Sequence, residues 1–142
     1  MIFFNSQRGS SLLCIGATVV RFVPGCPIML APAFAFDDQH FCAAARQIAI
    51  AADKDVGIWI DRVTRNAGMM VACDRKVVEF TRFTYLPAAS MTDQWKAAKA
   101  WDWNSLRCNS ELWREAIDNG WSTVLNVVTA DGGRATFKAQ CR

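Results

Sequence analysis

A single histidine, His40, serves the whole 142-residue chain, and residues 1–35 hold no aspartate or glutamate. One histidine means that any Ser-His-Asp or Cys-His arrangement must be built on His40. Its nearest thiol is Cys42, and side chains two apart on a helix point about 200° apart, which makes a poor dyad. No two cysteines stand as C-x-x-C, so a zinc site has no support from spacing. Asp131-Gly132-Gly133 lacks the further ligands of a calcium loop and the lysine of a P-loop, and reads as a turn. Internal repeats, low-complexity stretches and long linkers are missing too. These absences leave no assembled catalytic set, metal site or cofactor site.

The acid-free N-terminus carries Arg8 and Arg21 as its only charges and is otherwise largely apolar. A basic start, an apolar stretch and a small-x-small cleavage site are what an export signal needs. Ala33-Phe34-Ala35 supplies the last of these, and Asp37-Asp38 mark the return to polar sequence. Arg21 interrupts the apolar run and Pro24, Pro27 and Pro32 disfavour helix, which puts the apolar core of the signal at Phe22–Leu30. Val23-Pro24-Gly25-Cys26 is only a poor match to a lipoprotein cleavage site, because of its flanking prolines. A retained membrane helix needs about 20 apolar residues without a central charge. The alternative to a signal is a buried N-terminal strand. The expectation is a leader over 1–35 and a mature domain over 36–142, periplasmic or secreted, meeting the membrane only through export.

Beyond residue 35 the chain balances 14 basic residues against 13 acids. A nucleic-acid binder gathers a basic excess on one face, so nucleic acid is not an expected partner. Cys14 and Cys26 would leave with the leader. Cys42, Cys73, Cys108 and Cys141 remain, an even number that in an exported domain reads as two disulfides with three formal pairings. A helix leading into the strands that carry Cys73 favours Cys42–Cys73. A C-terminal hairpin running back toward the helical segment favours Cys108–Cys141.

Asp37 and Asp38 can cap a helix. On that helix Phe41, Ala44, Ala45, Ile48, Ala51 and Ala52 share one side, opposite His40, Arg46, Gln47, Asp53 and Lys54. It should end near Gly57. Ile58–Thr64, Met69–Cys73 and Val77–Leu86 then read as a three-stranded antiparallel meander, with Asn66-Ala67-Gly68 as the first turn. In the third strand Val78, Phe80, Thr84 and Leu86 alternate against Glu79, Thr81 and Phe83, and Arg82 is the misfit.

Helical composition returns over 90–119, with Ser90 or Thr92 and then Ser110 as caps and Gly120 as the stop. One straight helix would throw Trp101 and Trp103 about 160° apart, which predicts a break near Asp102–Asn104 or at Cys108-Asn109. The second helix should bury Leu112, Ala116, Trp113 and Ile117. Trp121–Thr129 and Ala135–Gln140 flank Asp131-Gly132-Gly133 as a hairpin. The expected fold class is α+β, one small domain in the order α-β-β-β-α-α-β-β. Its helices should pack on one face of an antiparallel sheet, stapled by two disulfides.

Paired carboxylates are available at Asp53/Asp55, Asp61, Asp74/Glu79 and Glu111/Glu115/Asp118, but glycosidase-type chemistry needs two acids held at a set distance in a cleft. Glu111 and Glu115 beside Arg114 read more simply as a solvated helix face. The tryptophans are more informative. Five of the six, from Trp95 to Trp121, fall within 27 positions, more than one small core readily encloses. Exposed aromatics anchor partners because they bury large area at low entropic cost, which makes Trp95, Trp101 and Trp103 the candidate binding residues. The functional expectation is an exported interaction module whose partner is another envelope protein. An inhibitor or accessory subunit of an envelope hydrolase, or a small hydrolase using paired acids, are the alternatives.

Overall fold

A computed structural model describes residues 35–141, so the expected leader lies outside the described residues apart from Ala35. Asp37 opens α1 (Asp38–Lys54): its carboxylate accepts from the backbone N–H groups of Gln39 and His40 at 2.9 and 3.1 Å. Only the first half of the apolar face is covered, by burial of Phe41, Cys42 and Ala45. Ile48 and Ala51, placed on the same face by periodicity, are exposed. The C-terminal half of the helix thus buries less of its apolar face than the first half.

The expected meander forms with two full strands, β1 (Thr64–Ala72) and β2 (Val77–Thr84), paired antiparallel. Ile58–Thr64 is not a strand of its own: it folds back as a short loop, joined to β1 by the Trp59–Arg65 bridge. Asn66-Ala67-Gly68 does not reverse the chain. The Asn66 amide instead donates to the Ala52 carbonyl at 3.1 Å and its oxygen accepts from the Gly68 N–H. The register shifts between Asn66 and Gly68, and Gly68 takes φ +120°. Turn chemistry is used here for a β-bulge, which binds the end of α1 to the sheet.

After a 3-10 turn at Ala88–Ser90 come α2 (Asp93–Cys108) and α3 (Glu111–Asp118). Thr92 caps α2 by accepting from the Trp95 N–H at 3.2 Å. The break falls at Cys108-Asn109, the second of the two expected places. Ser110 holds the N-cap position of α3 without a side-chain bond, and Gly120 follows with φ +89°. Trp113 and Ala116 are buried and Ile117 is half-buried, but Leu112 faces outward. The hairpin of β3 (Ser122–Thr129) and β4 (Arg134–Lys138) closes the domain.

The sheet order is β1-β2-β3-β4. It is mixed rather than antiparallel, because β3 pairs parallel to β2. The reason is the helical segment: parallel neighbours need a crossover of a dozen or more residues, and α2 with α3 return the chain to the start of β2. There the Ser122 N–H donates to the Lys76 carbonyl at 2.8 Å. The helices cover one face, against Val78 and Phe80 of β2, Leu125 and Val127 of β3 and Phe137 of β4. The other face shows Glu79, Asn126 and Thr136, joined by side-chain hydrogen bonds. Both favoured disulfides are present: Cys42–Cys73 holds α1 to the end of β1, and Cys108–Cys141 holds the end of α2 to the C-terminal segment.

Candidate functional site

The two long helices pack over opposite edges of the sheet, α1 over β1 and α2 over β4. Between them α3 covers the start of β2, where Trp113 and Ala116 cluster with Val78. The far end of β2 is left as the floor of a groove. One part, about 300 Å³, is lined by Ala52, Asp55, Ile58, Ile60, Asn66, Phe80, Arg82 and Arg107. A smaller depression of about 40 Å³ lies beside it against α2, lined by Arg82, Lys99, Asp102, Trp103, Leu106 and Leu125. Arg82 belongs to both, so the two meet at its side chain.

The walls carry exposed apolar side chains. Ile58 and Ile60 on one side and Leu106 on the other are about half exposed. The first wall is built by backbone pairing: Gly57 N–H donates to the Asn66 carbonyl at 2.8 Å, Asn66 N–H to the Ile58 carbonyl at 2.9 Å, and Ile60 N–H to the Thr64 carbonyl at 2.8 Å. Asp61 closes that turn by accepting from the Val63 N–H at 2.9 Å. Trp59 stacks on Tyr85, with the Arg65 guanidinium 4.2 Å from its ring centroid.

The floor is cationic. Arg107 projects from the last turn of α2 and is only 8% exposed. Its guanidinium carbon lies 4.0 Å from the ring centroid of Phe80, 4.1 Å from Trp103 and 4.7 Å from Trp113. These rings stabilise a cation through their faces, but they offer no hydrogen-bond acceptor, and Nε of Arg107 has no partner among the described residues. Burial, and then the positive charge of Arg82, push the Arg107 pKa down to about 10. It therefore remains charged at neutral pH. Burial lowers the Arg82 pKa as well, opposed by Asp61 and Asp102. The ion pairs among the described residues are Lys76–Asp38, Lys96–Asp93 and Lys99–Asp102, and none includes Arg82 or Arg107.

A second cleft, about 330 Å³, lies beside the Cys42–Cys73 bridge and is lined by Asp38, Arg46 and Trp121 among others. Its central charge is already satisfied: Asp38 takes Lys76 Nζ at 2.6 Å and Trp121 Nε1 at 2.8 Å. The groove differs in that two arginines share its floor and neither forms an ion pair among the described residues, and that sets it apart as the candidate site.

The three candidate tryptophans go to different places. Trp103 is 2% exposed, packs edge-on against Phe80 and donates from Nε1 to the Thr123 carbonyl at 3.3 Å. It forms one inner wall of the smaller depression. Trp95 is half-buried against Phe137. Trp101 is 71% exposed on the outer side of α2, in a shallow concavity with Asp102 and Leu106, which also line the groove. His40 is exposed and Cys42 is engaged in its disulfide, so they form no dyad. Asp53, Asp55, Glu111, Glu115 and Asp118 are all exposed. The arginine pair was not identified as a site from sequence. Its one trace there is Arg82 breaking the alternation of β2.

The arrangement is a two-layer α+β domain with two disulfides and an open groove of apolar walls over a cationic floor. No protein-family profile matches the chain, and no curated protein sequence matches it. Two solved structures share its fold. A Pseudomonas aeruginosa protein described as a putative secreted protein is 12% identical, with a TM-score of 0.57 over 71% of this chain and 89% of that one. The pilotin of the Vibrio vulnificus type 2 secretion system, also 12% identical, has a TM-score of 0.51 over 72% of this chain and 90% of that one.

Proposed function

We propose that this chain is a small exported interaction module, with no catalytic role, that holds a segment of another envelope protein in the groove between α1 and α2. The observation that carries this reading is the groove itself. Ile58, Ile60 and Leu106 stay half exposed around a floor that the domain's own helices leave uncovered. Apolar side chains grouped around a concavity are what an interaction site presents to a partner. Trp101 extends the α2 rim and would anchor the partner's flank. Two disulfides support an oxidising compartment, here periplasmic or secreted, with residues 1–35 as the leader and Phe36 as the first mature residue. That one structure sharing the fold is described as secreted, and the other belongs to a secretion system, supports the same setting.

The full-length gene, expressed in an exporting bacterium, is expected to yield a periplasmic product whose mass begins at Phe36. No thiols should label before reduction and four after it. A photo-crosslinking residue at Ile60 or Trp101 in that product should trap a discrete envelope protein, whereas one at Thr136 on the opposite sheet face should not. Equal labelling from both faces, or none from the rim, would retire the reading.

A further inference from the structure

We propose that the groove recognises a carboxylate: its occupant is an apolar segment of the partner that carries one aspartate or glutamate side chain, seated against Arg82 and Arg107. This deepens the interaction reading and rests on it.

A buried charge without a counter-charge is costly, and proteins normally pair it. Arg107 is only 8% exposed, its Nε meets no acceptor among the described residues, and the neighbouring charge that bears on it is a second cation, Arg82. Acids do stand nearby. Asp55 lines the wall, Asp61 closes the loop behind it, and Asp102 lies on α2 paired with Lys99 at 3.8 Å. None of them forms an ion pair with either arginine. Two neighbouring guanidiniums, neither in an ion pair among the described residues, match the planar, double-acceptor geometry of a carboxylate. The low local polarity makes that match stronger than it would be in water.

The rest of the geometry selects the source of the carboxylate. Arg82 lines both depressions, so the cationic spot lies where they meet and not at a closed end. A segment crossing the groove presents a side chain there, flanked by residues that meet Ile58 and Ile60 on one side and Leu106 on the other. The chain's own first 35 residues, although apolar, contain no aspartate or glutamate to place on the arginines.

The test is a displayed library of random 14-residue segments, selected on the exported, disulfide-bonded protein. Winners are then synthesised with the acid intact or replaced by its amide. Selected segments should share one Asp or Glu among Leu, Ile, Val or Phe. Replacing that acid by Gln or Asn should weaken binding about tenfold or more, the scale of a charge-assisted hydrogen bond. Arg107→Met and Arg82→Met should each erase most of the difference between acid and amide while still binding the amide form. Both keep an apolar stem, and Arg82→Met tests the idea independently if Arg107→Met loosens the aromatic cluster. Winners that bind at the groove without an acid, and lose affinity on Ile60→Asp, would overturn the carboxylate and leave the interaction reading standing. Failure to select any segment, or winners indifferent to Ile60→Asp, would overturn both. Dimerisation that Arg82→Met dissolves would name a second copy as the occupant and overturn the assignment to a partner.

Discussion

Two tryptophans two positions apart show how differently neighbouring residues can be employed. Trp103 fills the space between α2 and the sheet and satisfies its indole N–H on Thr123, whereas Trp101 points to solvent. Trp103→Ala should cost about 3–5 kcal/mol, the usual range for emptying a large aromatic site, read as a lower urea midpoint at unchanged slope. Trp101→Ala should leave that midpoint within about 0.5 kcal/mol and act only on partner capture. Sequence reading separated their directions, since 200° of helix rotation cannot be undone. It could not say which direction was inward, because that depends on where α2 lands on β4. Asp38 gives a pH signature at the same scale. The Lys76 hydrogen bond, then that of Trp121, hold its carboxyl below the ordinary carboxylate value. A group depressed in the folded state contributes fully above its unfolded pKa and loses that contribution as pH falls through the folded one. Asp38→Asn should therefore lower Tm at pH 7, with the gap to the parent protein starting to close below about pH 4. A gap of equal size at pH 7 and pH 2 would show that the carboxylate's charge is not what matters.

Elements were legible wherever a local pattern met no competition. The C-terminal hairpin and its Asp-Gly turn form as read, because two strand-like runs beside a tight turn need nothing distant to specify them. The meander was legible in composition but not in pairing. Asn66 and Gly68 have the chemistry of a turn, yet the Ala52 carbonyl at the end of α1 was there to take the Asn66 amide, and a bulge resulted. Parallel pairing of β2 with β3 was likewise hidden, since it is fixed by where a 37-residue connection delivers the chain. The tip of the β3–β4 hairpin is tied to that connection. Both carboxylate oxygens of Asp131 accept from the Ala88 N–H, at 3.0 and 2.9 Å. A Cβ on Gly133 would come within 2.5 Å of the Ala88 Cβ and 2.7 Å of Thr129 Oγ1. Gly133→Ala must push the hairpin tip from the 3-10 turn, an overpacking cost of about 1–3 kcal/mol. Gly132→Ala instead meets open space but a φ of +87°. Amide shifts in the Gly133→Ala variant should therefore reach Ala88–Ser90, while those of Gly132→Ala stay in the hairpin.

At the scale of the whole molecule, both disulfide pairings followed from the order of elements, and each ties one of the two long helices that flank the groove. The groove itself was not legible. It is a gap between helices over a sheet, and gaps arise from how far each helix reaches across its strands. The two bridges should not be equivalent. The wall formed by α2 has packing to spare, with Trp103 and Met91 buried among Leu125, Val127 and Phe137. α1 buries only Phe41, Cys42 and Ala45, all in its first half, and its end is held by the Asn66–Ala52 hydrogen bond. Each bridge joins cysteines just over 30 positions apart, so on loop length alone each should contribute about 3–4 kcal/mol. The consequences for shape differ. Replacing Cys108 and Cys141 by serine should lower global stability while α2 amides keep the protection of the sheet. Replacing Cys42 and Cys73 should let α1 open locally, so that amides of Phe41–Lys54 exchange faster than those of β2 and β3. It should also weaken binding in the groove more than the global loss explains, since Ala52 on α1 then loses its fixed distance from Arg107. Equal protection of α1 in the two variants would show that packing alone holds the first wall, and that the Cys42–Cys73 bridge acts only on the unfolded chain.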